Sequence, residues 1–148
     1  MSLMIDAVRK DGQPPEEVWP YLSVVPSPLS AWAPPKNCAP LFRHSMTEKL
    51  TDVSNVFAAL DTGQPALFAA TITEQFYRPS ADYIIKAAPG DREVGNHALV
   101  AVGHGTANAE AAVLVRNSWG EEWADQGYAW VTKDYLEFRL LSVAVPFN

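Results

Sequence analysis

The sequence predicts an α+β fold: a twisted antiparallel sheet curling toward a half-barrel, with one or two packed helices. Three observations predict it. Apolar residues recur at helical spacing through residues 47–60, four short β-rich runs crowd the stretch from His97 onward, and eight of the twelve prolines fall between Pro14 and Pro40. The 148 residues suit one domain, read here as 1–148 with a proline-rich extended segment at about 14–40.

The elements follow in order. Met4 to Lys10 reads as a short helix ended by Asp11-Gly12, a turn and C-cap signal. Met4 comes so soon after Met1 that Met1-Ser2-Leu3 reads as an expression leader, with the natural start at Met4 or inside a longer gene. The segment from Pro14 to Pro40 cannot be a regular helix or a central strand, because proline removes donors and fixes φ. It carries Trp19, Tyr21, Leu22, Val24, Val25, Leu29 and Trp32, which predicts an extended chain pinned across a surface by its aromatics.

A helix is predicted from Thr47 to Leu60, with Leu50, Val53, Val56, Phe57 and Leu60 on one apolar stripe. Gly63 is placed to cap it in the left-handed conformation. Pro65 then opens a strand over Ala66 to Thr73, followed by a polar turn through Pro79 and Ser80 and a short piece at Tyr83–Ile85. After the loop APGDREVG come HALVAV, AAVLVRN, GYAWV and LLSVAVPF, spaced as antiparallel strands.

Composition excludes several function classes. Eleven Lys and Arg against seventeen Asp and Glu leave a net charge of −6, which repels phosphate backbones and argues against nucleic acid as a partner. No apolar run reaches the roughly 18–20 residues of a spanning helix, and no secretory signal core is visible, so the default compartment is the cytoplasm. A single cysteine, Cys38, precludes an internal disulfide framework. The three scattered histidines nominate no metal, and neither a dinucleotide loop nor a Walker string occurs, so no cofactor is expected. Ser118 lies in no nucleophile elbow, and the carboxylates lack a glycosidase pairing.

Two strings carry chemistry: NHALVAVGHG (96–105), ending in a Gly-His-Gly turn, and RNSWGEEWADQGYAWV (116–131). If their strands pair as a hairpin through GTANAE, His97 and Asn117 come together, an imidazole held by an amide oxygen with one ring nitrogen left for a nucleophile. Trp119 is placed to shield that hydrogen bond from water. Taken singly, Asn117 is equally a turn residue and His97 a packed strand histidine. Trp123, Tyr128 and Trp130 read as core or sheet-face residues. Glu121, Glu122 and Asp125 form a solvated turn, and His104 and His44 are structural.

These strings resemble the His- and Asn-bearing motifs of the papain family of cysteine peptidases, close to "GHAVLVVGYG" and "KNSWGxxWGDxGYF". Upstream, AVRKDGQPPEEVWPY is similar to "GIxxEExYPY" and GQPALFAATI to the approach to "xPVxVxI". The resemblance implies the right-hand, β-rich domain of a papain-like fold, with His97 as catalytic base, Asn117 as its orienting residue and Trp119 as the covering indole. It also implies a nucleophilic Cys in a Gln-x-x-x-Cys-Gly-x-Cys-Trp string roughly 130–150 residues before the His and Asn. Only 96 residues precede His97 and none contains that string. Cys38, between Pro35 and Pro40, opens no helix and reads as an incidental thiol.

The chain therefore reads as a cysteine peptidase half-domain that lacks its nucleophile and is inactive alone. The alternatives are one chain of a split peptidase whose Cys half comes in trans, and a non-enzymatic interaction module reusing the fold. A face normally covered by the other half would be bare, so a homodimer or a complementary Cys-bearing chain is expected on the surface around His97 and Trp119. The ligand class implied is a peptide or protein.

Overall fold

The computed structural model describes residues 2–20, 22, 24–29 and 32–147. They form two compact units, Ser2–Met46 and Thr47–Phe147.

In the first unit, α1 spans Ser2–Lys10, two residues longer at its start than its sequence signals. Asp11 N and Gly12 N both donate to Ala7 O (2.8 and 3.0 Å), and Gly12 turns the chain at φ 81°. A side chain could not replace that glycine, since a Cβ would lie 2.9 Å from Arg43 Cγ. Gln13 and Phe42 then pair as an isolated bridge. The proline-rich stretch departs from the sequence reading. Trp19 is half-buried, but Leu22, Val24, Val25, Leu29 and Trp32 are exposed rather than pinned. Proline fixes φ and removes donors along this stretch, so its described residues join no strand that would turn a regular face of side chains inward. Tyr21 lies outside the described residues.

The second unit carries an open seven-stranded sheet with few helices. Its strands are β1 (Met46–Lys49), β2 (Ala66–Thr73), β3 (Ile84–Ile85), β4 (Glu93–Ala107), β5 (Glu110–Arg116), β6 (Tyr128–Thr132) and β7 (Leu140–Pro146). The order is β1-β7-β2-β4-β5-β6-β3, so the ends do not meet. The pairings of β2 with β4 and β7, of β4 with β5 and of β5 with β6 are antiparallel, as predicted, but β3 lies parallel to β6. Residue alternation explains the register: Ala66, Phe68, Ala70 and Ile72 of β2 are buried, with Phe68 opposite the buried Leu99.

Helix α2 (Val53–Asp61) is shorter than the predicted 47–60. The Asp52 side chain accepts from Ser54 N at 2.8 Å and caps the helix there, while residues 46–49 join the sheet as β1. Leu50, predicted on the apolar stripe, is instead exposed. Val53, Val56 and Ala59 are the buried face of α2, and Gly63 at φ 75° takes the left-handed conformation the sequence signals.

The strand carrying His97 begins at Glu93 rather than after the loop, and it continues through the predicted Gly-His-Gly turn. The reversal falls at Asn108 and Ala109, inside the GTANAE segment expected to carry the hairpin, and their φ angles of 51° and 63° fit a two-residue turn. His104 thus stands in β4 opposite Val113, with Nε2 2.9 Å from Asp61 Oδ1.

The core closes under α3 (Lys133–Glu137), whose Tyr135 is fully buried. Thr73 N donates to the Tyr135 hydroxyl at 2.9 Å, and the hydroxyl donates to Thr73 Oγ1 at 3.3 Å. Burial pushes the Tyr135 phenol above its ordinary pKa of 10.0. The unfolded chain therefore loses this proton first, and the contribution to stability present below pH 10 is lost as pH rises through the raised value. Tyr135→Phe should remove that alkaline loss from a series of thermal melts. It should also cost about 1–3 kcal/mol at neutral pH, because Thr73 N is left buried and unpaired. An unchanged alkaline slope in the variant would reject this account.

Candidate active site

The site is built at the end of one hairpin. His97 sits on β4 opposite Ala70 of β2, half-buried, and Asn117 directly follows the last residue of β5. Asn117 is held from the far side by its own loop: its backbone N donates to Gly127 O at 2.9 Å. Gly127 has φ 88°, and a Cβ there would lie 3.3 Å from Gly120 O, so the loop closes tightly only around glycine.

His97 Nε2 lies 2.8 Å from Asn117 Oδ1. The same oxygen accepts from Ser118 N at 2.8 Å, which identifies it as the oxygen, since a flipped amide would point NH2 at an N–H donor. Nε2 must then be the donor. In the neutral ring this places the proton on Nε2 and leaves Nδ1 with its lone pair, ready to accept a proton. Asn117 is 7% exposed, and its Nδ2 is buried without a hydrogen-bond partner. A buried donor left unpaired costs stability.

The Trp119 ring lies over His97, with centroids 4.7 Å apart and planes at 36°. Two aromatics flank it in turn. Tyr77 stacks on its face at 5.2 Å and 7°, and Trp123 meets it edge-on at 6.0 Å and 86°. Trp123 is buried and donates from Nε1 to Phe76 O at 2.6 Å. Glu121, Glu122 and Asp125 are exposed, as their turn-like sequence predicts.

Sequence reasoning brought His97, Asn117 and Trp119 together, and they are in contact here. It missed Ser118 N as the second donor to Asn117, and it missed Tyr77, which lies 42 positions before Trp119. The only signal for Tyr77 was an aromatic pair, Phe76-Tyr77, in an otherwise polar turn. Cys38 lies just after a turn and off any helix, and no group of three or more His, Cys, Asp and Glu that could hold a metal occurs among the described residues. No helix among them is long and apolar enough to cross a membrane.

The sequence profile of papain family cysteine proteases matches residues 31–143. Pro-cathepsin H of Mus musculus is 29% identical over 114 residues, which cover 76% of this chain and 33% of the mouse protein. Cysteine proteinase 1 of Entamoeba histolytica is 27% identical over 130 residues, covering 86% of this chain and 39% of the amoebal one. The chain thus spans well under half the length of these relatives. Among solved structures, Xylellain, a cysteine protease from Xylella fastidiosa, superposes with a TM-score of 0.76 at 21% identity, over 96% of this chain and 59% of that one. With the profile covering three-quarters of its length, the chain belongs to the papain family of cysteine proteases.

Proposed function

We propose that this chain supplies the proton-carrying half of a cysteine peptidase and takes its attacking thiolate from a cysteine outside these 148 residues, on a second polypeptide or elsewhere in a longer one. The observation that carries the reading is the Nε2–H to Asn117 Oδ1 hydrogen bond, with Ser118 N on the same oxygen, because it leaves Nδ1 free. Cys38 lacks the helix start that lowers a thiol pKa.

The chemistry then runs as follows. Nδ1 of His97 takes the thiol proton, and the thiolate adds to the scissile carbonyl carbon. The tetrahedral adduct collapses, the C–N bond breaks, and Nδ1–H protonates the departing amine. Water attacks the acyl-thioester, giving its proton to Nδ1, and the acid and the thiol are released. Through both halves Asn117 keeps the ring in place while Trp119 keeps water from the bond that does so. The surface around His97 and Trp119 is accordingly where the Cys-bearing partner docks, with a second copy of this chain as the competing occupant.

The isolated chain should neither hydrolyse a fluorogenic peptide nor react with a peptidyl epoxide. Turnover that disappears in both Cys38→Ala and His97→Ala would overturn the proposal by making Cys38 the nucleophile. The exposure of Leu22, Val24, Val25, Leu29 and Trp32 favours a second reading, a binding module that reuses the fold. Capture of a partner with equal affinity by wild type and His97→Ala, and no activity in any pairing, would favour it.

A further inference from the structure

Tyr77 is 56% exposed as a residue, so burial does little to hold it, yet its ring lies flat on Trp119 with planes 7° apart. Its backbone is fixed: Tyr77 N donates to Glu74 O at 3.1 Å, and the preceding Phe76 is fully buried. Trp119, by contrast, rides on a short turn beside Gly120 at φ 88° and is 36% exposed. Trp123 meets it in a T-shaped contact, not a stack. Tyr77 is the aromatic that stacks face to face with this indole.

From this geometry we propose that Tyr77 is a positioning residue for the His97–Asn117 pair: its ring holds Trp119 against the imidazole and so keeps water off the Nε2–H···Oδ1 bond. The inference rests on the reading of His97 as the proton carrier. The device works through aromatic contact alone, because offset-stacked rings attract beyond their buried area whether or not the ring carries a hydroxyl. Without it, Trp119 would swing on its glycine-bounded turn, and the imidazole would be free to change tautomer and rotate.

The test needs no nucleophile, so its failure is separate from any failure of the peptidase reading. In the 15N-labelled 148-residue chain, the tautomer of His97 and the exchange of its Nε2–H with water are read by NMR. Wild type and Tyr77→Phe should show the Nε2–H tautomer with slow exchange. Tyr77→Ala and Tyr77→Leu should exchange roughly threefold to tenfold faster, the factor an aromatic pair supplies, with backbone amide spectra elsewhere unchanged. Tyr77→Leu keeps apolar bulk, so it reports even if the alanine variant is poorly folded. Exchange and tautomer unchanged in Tyr77→Leu would overturn the proposal. So would Tyr77→Phe exchanging as fast as Tyr77→Leu, since the hydroxyl rather than the ring would then be responsible.

Discussion

In a chimera that joins a Cys-bearing papain-type half to this chain, His97→Ala lowers kcat/KM by about 10²–10⁴-fold, the range general acid–base catalysis supplies. Every proton in the proposed cycle passes through Nδ1, and His97 is the titratable side chain that the described residues place on Asn117 Oδ1. Asn117→Ala should fall by less, because the imidazole survives and loses only its holder. The two losses should not add in the double variant, since one residue acts through the other. Peptide turnover with steady-state kinetics measures all three. A chimera in which His97→Ala retains activity within about tenfold of the parent would remove His97 from the chemistry.

The largest stability effect is expected at Phe76. It is fully buried, stacks on Trp123 at 6.0 Å, and meets Tyr135 at 5.8 Å. Phe76→Ala should cost about 3–5 kcal/mol, read as the shift of the denaturation midpoint, because the cavity it leaves is walled by rings that cannot collapse into it. For a unit of this size that is a large part of total stability, usually about 5–15 kcal/mol. The substitution also loosens Trp123, which meets Trp119 in a T-shaped contact, so His97 should feel it even where the fold survives. A loss under about 1 kcal/mol would show that the aromatic cluster repacks freely.

Much of the second unit was readable because each signal was local. The alternation of Ala66, Phe68, Ala70 and Ile72 sets the face of β2 within one strand, and Gly63 stops α2 by its own backbone freedom. Where two local signals competed, the periodicity of Leu50 with Val53 and Val56 misled. Capping by Asp52 decided the start of the helix, and periodicity alone could not weigh that. The parallel pairing of Ile84 with Trp130 spans 46 positions, and two residues of strand carry no mark of direction. The site divides the same way. His97 and Asn117 stood out by their strings, whereas the Tyr77 stack depends on how a turn and a loop meet in space, which spacing does not reveal. In the proline-rich stretch, apolar and aromatic content suggested anchorage, but Leu22, Val24, Val25, Leu29 and Trp32 are exposed, and composition does not say whether a surface lies within reach.

The loop that carries Asn117 ties its own root. Asn117 N reaches Gly127 O, Gly127 N reaches Trp123 O, and Asp125 bridges to Tyr128 just beyond. The placement of Asn117 is therefore insulated from the tip of the loop, where Glu121 and Glu122 stand in solvent. Side chains at that rim can be exchanged without breaking the backbone ties that hold Asn117 in place, so what they send to the imidazole is their electric field and not a change of geometry. The loop's outer rim can thus vary in sequence while the placement of the Asn117 backbone against Gly127 stays as built.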